Sequence, residues 1–152
     1  MMDFIKEYKK KGLLKEEAVG FDQISNYLKR ANKDLSVAEA NLKIDSEASY
    51  NYAYLAMLRA GRALIFSFGL RPTDGVQHKT TVEFCELILK NKISDTVAYF
   101  DLMRKKRNRF TYDEPGLAVS EAETFNALNQ AKLFVKTVGG YIQEKNPQQK
   151  LL

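Results

Sequence analysis

Arg107, Asn108 and Tyr112 are the residues of this chain whose types and spacing best suit chemistry on a phosphate. They lie in the stretch FDLMRKKRNRFTY, residues 100–112, which carries five cations: Arg104, Lys105, Lys106, Arg107 and Arg109. Basic clusters at a helix C-terminus are ordinary, because the carbonyl end of the dipole favours positive charge. The placement of Arg107 is less so. At about 100° per residue, Ile93, Val97, Tyr99, Phe100, Met103 and Phe110 share one arc, and Arg107 falls inside it, between Phe100 and Met103. Lys105 and Arg109 point away from that arc, toward solvent.

An arginine on the buried side of a helix needs a carboxylate, a phosphate or several carbonyls, because an unpaired buried charge is too costly to keep. Arg107 is therefore either a member of a structural ion pair, with Asp113 or a carboxylate of the last helix as its partner, or a ligand-binding residue. Asn108 precedes Tyr112 by four residues, so on a continuous helix their side chains are neighbours. Guanidinium, amide and phenol together make a donor-rich cluster able to hold a phosphate.

Other chemistry is poorly provided for. The sequence has no glycine-rich phosphate loop, no CxxC, no HExxH and no GxSxG. One histidine, His78, excludes most triads and histidine-based metal sites. At the start of its helix it reads as a cap or a supporting donor. The one cysteine, Cys85, sits among Phe84, Leu87 and Ile88 and reads as a small core residue. Glu16-Glu17 and Glu121-Glu123 read as surface or capping carboxylates. Any reaction would have to use Arg, Asn and Tyr, and neither a metal nor another cofactor is expected.

The elements that must carry the basic stretch are helical. The 152 residues fit one domain, residues 1–152, with a short N-terminal helix (3–15) ending near Gly12 and a core bundle (21–144). From Asp22, a plausible N-cap, the apolar positions Ile24, Leu28, Ala31, Leu35, Ala38 and Leu42 recur at steps of four and three. After a turn capped by Asp45 or Ser46, a helix from Glu47 to about Phe68 carries many small residues, so that a neighbour can approach closely. Arg59 and Arg62 on it read as solvent-facing. Gly69 to Gly75 is a stop and loop, with Gly69 suited to the position just past a helix end. Gln77 to Lys90 forms the next helix, and Ser94 or Asp95 caps the one that carries the basic stretch. In the last helix, Ser120 to about Gln143, Leu128, Ala131, Val135, Val138 and Ile142 form the inner seam, Phe125 and Phe134 add bulk, and Gly139-Gly140 weakens the end. The expectation is an all-α, up-and-down bundle of five or six helices. The seams beginning at Ile24 and Leu128 predict dimerisation through one bundle face. A net charge of +5 permits an acidic or nucleic-acid partner without requiring one. With no disulfide framework, signal peptide or long apolar run, a cytoplasmic location and no membrane partner are expected.

Three stretches together resemble the HEPN family (higher eukaryotes and prokaryotes nucleotide-binding domain): ANKDLSVAEANL followed by an alanine- and tyrosine-rich helix ending LIFSFGLRP; GVQHKTTVEF; and the helix finishing RKKRNRFTYD. The resemblance runs from about Phe21 to Tyr141. The family's pattern is an Arg, often followed by Asn, with a His four to six residues beyond the Arg. By resemblance Arg107 takes the Arg position, Asn108 the following polar one, and Tyr112 the place of the His. The resemblance thus implies Arg107, Asn108 and Tyr112 as catalytic residues, and Arg104, Arg107 and Arg109 as contacts to RNA or a nucleotide. It implies a metal-independent endoribonuclease whose groove lies at the junction of two protomers, and a place as the toxin-like half of a toxin-antitoxin pair with a nucleotidyltransferase. Tyr112 is the departure. A phenol, with an ordinary pKa near 10, is a poor general base at neutral pH, so catalysis is expected to be weakened or lost. Tyr112 could instead hold a phosphate or accept a nucleotidyl group from a partner enzyme. The alternative expectation is a non-catalytic helical protein-interaction module.

Overall fold

The computed structural model describes residues 2–73 and 77–151. Their elements run α1 (Met2–Lys10), β1 (Leu14–Glu16), α2 (Phe21–Asn41), α3 (Ser46–Ser67), β2 (Leu70–Pro72), α4 (Gln77–Asn108), a π-helical turn (Arg109–Asp113) and α5 (Glu121–Lys145). The architecture is the expected all-α bundle. Asp74 and Gly75 of the expected loop lie outside the described residues. No described helix is long and apolar enough to cross a membrane.

α3 is the central helix. Ala53, Ala56, Ala60, Ala63 and Gly61 keep it narrow and are buried. At Gly61 a Cβ would stand 2.7 Å from Thr81 Cγ2 and 3.0 Å from Cys85 Sγ, so the close approach of α4 depends on the missing side chain. The seams of α2 and α5 pack against this helix: Ile24, Leu28, Ala31 and Ala38 on one, and Leu128, Ala131, Val135, Val138 and Ile142 on the other, are all buried within one protomer. Those seams are therefore used up inside the fold, and they cannot supply the dimer face expected of them. Phe125, expected to add bulk inside, is 51% exposed.

The helix ends follow local chemistry, with exceptions. Asp45 caps α3 by accepting from Ala48 N at 3.1 Å, and Ser120 caps α5 by accepting from Glu123 N at 3.0 Å. Gly69 ends α3 with φ +72°. Asp22 is not a cap: Gly20 occupies that position, and Asp22 sits in the first turn of α2. The N-terminal helix stops at Lys10. Beyond it Gly12 takes φ +73° and Leu14–Glu16 pairs antiparallel with Leu70–Pro72, Leu14 opposite Pro72. Three residues are too few for a strand's alternation to be legible. α5 also runs through Gly139-Gly140 without a break, because Val138 and Ile142 on either side are buried.

The feature that positions the site is a break in α4. Ile93 has φ −142° and ψ 55°, outside helical values, where a helix end and a new cap were expected between Lys90 and Asp95. The first half runs along α3 from Tyr54, which meets His78, toward Phe68, which meets Phe84. The second half returns: Phe100 packs on Tyr54, and Arg107 reaches Asn51. His78 and Arg107 would be roughly 40 Å apart on a straight helix. The reversal brings both against one tyrosine.

Candidate functional site

Arg107 projects from the returning half of α4 toward the N-terminal turns of α3. Its Nε donates to Asn51 Oδ1 at 3.2 Å, and its guanidinium carbon lies 5.9 Å from the Tyr54 ring centre and 5.7 Å from that of Tyr112. A cation between two aromatic faces is attracted by both ring quadrupoles. The side chain is half-buried. Each of the other four cations in the stretch is paired: Arg104 and Lys105 with Asp101, at 3.0 Å each, Lys106 with Glu123, and Arg109 with Glu114 at 2.7 Å. Among the described residues Arg107 has no carboxylate partner, and the expected pairing with Asp113 or the last helix is not formed.

The π turn places Tyr112. Glu114 N donates to Arg109 O, five residues back, so this turn is wider than an α-helical one. Phe110 is buried against the Tyr50 ring, 5.9 Å between centres, and anchors the turn to α3. A residue five along is thereby brought over its predecessor, and Tyr112 lies above Arg107. The continuous helix assumed for an Asn108–Tyr112 pair does not extend this far. Tyr112 remains 69% exposed.

On one side of Arg107 lies a cavity of about 380 Å³ bounded by His78, Lys79, Arg104, Arg107, Asn108 and Tyr112, with Gln77 at its edge. On the other side, Asp45, Glu47, Asn51, Phe110 and Thr111 border a smaller space of about 290 Å³. The first is basic, and no carboxylate lines it among the described residues. Nearby Asp101 is committed to Arg104 and Lys105. Burial alone would raise its pKa, but their hydrogen bonds and charges prevail and hold it below the usual carboxylate range.

His78 faces this charge. Its Nδ1 is 3.0 Å from the Tyr54 hydroxyl, the rings 5.8 Å apart. Burial, and then the charges of Arg107, Arg62 and Arg104, lower its pKa. Burial pushes the Tyr54 phenol in the opposite direction, upward, so it stays protonated. Cys85, fully buried, is likewise pushed up and takes no part.

The structure thus brings Arg104, Arg107, Asn108 and Tyr112 to one cavity. Arg109 is not there: it is exposed and tied to Glu114. His78, read from the sequence as a cap or a supporting donor, joins the residues at the cavity, and those that sequence reasoning missed are Asn51, Tyr54 and the α3 arginine Arg62, whose Nη2 donates to Gln77 Oε1 at 2.5 Å. Arg62 is not solvent-facing, and its Nε is buried without a partner among the described residues. Arg59 also departs from expectation, since it pairs with the fully buried Asp34. A signal was present: Asn51, Tyr54 and Arg62 stand at helical spacing on a segment otherwise rich in alanine and leucine.

The family model described as HEPN domain matches residues 24–143, most of the chain. No curated protein matches it.

Proposed function

The chain belongs to the HEPN family, and from that premise we propose that it binds RNA or a nucleotide in the cleft around Arg107, as a homodimer, with ribonuclease chemistry weakened or lost. The observation that carries this reading is the state of Arg107. It is the one cation of its stretch without an ion pair among the described residues, and it borders a basic cavity between two tyrosine rings. A half-buried guanidinium whose Nη donors have no partner among the described residues is suited to a phosphate oxygen. Asn108 supplies an amide beside it, and the exposed Tyr112 ring offers a base a face to stack on.

In an active family member the histidine would handle the proton of the ribose 2′-hydroxyl. A phenol in its place costs on the order of 10²-fold or more in rate. Binding is therefore the primary activity in this reading, and any cleavage is slow and metal-independent. The exposed hydroxyl of Tyr112 is also open to a modifying nucleotidyltransferase, whose product would fill the cleft; a toxin-antitoxin arrangement in the cytoplasm accommodates this.

Arg107→Ala, assayed for RNA affinity and RNA cleavage, is the test. Loss of affinity is expected, and wild-type values in both assays would remove the proposal. Light scattering at micromolar concentration checks the homodimer, which a monomer mass would exclude.

A further inference from the structure

We propose that the cavity between the two halves of α4 takes a terminal phosphate monoester, that of a mononucleotide or of a phosphorylated RNA end, with His78 as a binding residue opposite Arg107. This rests on the phosphate-binding reading above and adds the class of phosphate and a second ligand contact.

Charge is the first argument. Lys79 and Arg107 border the cavity with His78 and with Arg104, whose charge is already met by Asp101, and among the described residues no carboxylate lines it. Arg62 adds a further positive charge close to His78. An internal phosphodiester brings one negative charge and two free oxygens. A terminal monoester brings nearly two charges around neutral pH, and three oxygens. Only the monoester offsets most of the positive charge gathered here, and like charges left uncompensated in a partly buried site repel strongly.

Geometry is the second. Tyr54 holds Nδ1 of His78 at 3.0 Å, which leaves Nε2 for a ligand. When the neutral ring carries its proton on Nε2, the Tyr54 hydroxyl donates to Nδ1. In the imidazolium Nδ1 donates back to the Tyr54 oxygen, and Nε2 still carries a proton. Either state presents an N–H donor to a phosphate oxygen. Arg107 meets the same Tyr54 ring from the other half of α4, so the two donors are set by one side chain. Their separation in sequence gives no hint of it.

Proton uptake follows. Among the described residues, the charged and titratable groups around His78 are Tyr54 and Arg62 from α3, Lys79, Asp101, Arg104 and Arg107 from α4, and Tyr112 from the π turn. Burial and the arginines lower its pKa and so favour the neutral imidazole in the free protein. A bound dianion offsets the arginine charges and favours the imidazolium.

The experiment compares adenosine 5′-monophosphate with adenosine 3′,5′-cyclic monophosphate, which carries the same nucleoside on a diester. It also compares one short RNA with and without terminal phosphates. The monoesters are expected to bind at least about 10-fold more tightly, the value of one charge-assisted hydrogen bond. His78→Gln should erase most of that preference, whereas Arg107→Ala should weaken every probe. Because the chain has one histidine, the pKa of His78 can be followed by NMR in the wild-type protein, and the monophosphate should raise it. Tighter binding of the phosphorylated RNA identifies an RNA end as the source; tighter binding of the free monophosphate alone identifies a nucleotide. Equal affinity for monoester and diester, or a His78 pKa that the monophosphate does not move, overturns this inference while the Arg107 reading stands. Binding that is insensitive to Arg107→Ala, or absent for every probe, removes the underlying reading as well.

Discussion

Arg59 and Arg107 both reach inward from their helices, and they are handled in opposite ways. Arg59 of α3 reaches Asp34 of α2, whose side chain is fully buried, and Arg30 stands 3.5 Å from the other oxygen of the same carboxylate. Arg107 of α4 has no such partner among the described residues; it has an amide oxygen and two rings. A carboxylate at full burial is tolerable only with its counter-charge, so the first arrangement joins two helices. In the second, rings and an amide hold the guanidinium in place without neutralising it. The pair at Asp34 serves the fold, and the unneutralised charge at Arg107 is available to an anion.

That contrast can be broken by exchanging the two effects. Arg59→Ala should be the most damaging substitution, because it removes the hydrogen-bonded counter-charge of a buried carboxylate and leaves it only Arg30 at 3.5 Å: a loss of about 3 kcal/mol in denaturant unfolding is expected, with ligand affinity of the folded fraction unchanged. An unaltered midpoint would show that Asp34 needs no such partner. Arg107→Ala should do the reverse, lowering affinity for a phosphate-bearing ligand by about 10- to 100-fold while shifting stability by less than about 1 kcal/mol. A large loss of stability there would make Arg107 a second structural arginine.

Gly61→Ala sharpens the comparison from between the two sites. The added methyl group meets Thr81 and Cys85 and pushes the first half of α4 away from α3. A cost of about 1–3 kcal/mol is expected, measured by thermal unfolding, with weakened binding because Gly61 lies two turns from Tyr54 on the same face. Unchanged binding would separate helix packing from the cavity.

The smallest effect concerns pH. Burial and the arginine charges hold the folded-state pKa of His78 below the unfolded value of about 6.5. As pH falls through that window the unfolded chain binds the greater share of protons, so this contribution is present above about pH 6.5 and is lost below it. His78→Gln should flatten that part of the stability profile. An unchanged slope would place the acid sensitivity elsewhere.

The sequence by itself determined the helices, the ends at Asp45, Gly69 and Ser120, the inner seams and the presence of an arginine on the greasy arc of its helix. These depend on interactions within a few residues, through periodicity, capping and dipole, and the motif that carries the family resemblance is equally local. Only the tertiary structure decided what Arg107 meets. The chain reversal at Ile93 sets His78 beside it, the widened turn after Asn108 swings Tyr112 over it, and packing on α3 supplies Asn51 and Tyr54. The same holds for Arg59, read as solvent-facing until α2 laid Asp34 against it. A helix face can be read from one segment, but the counter-charge it finds belongs to another segment, and no local rule couples the two.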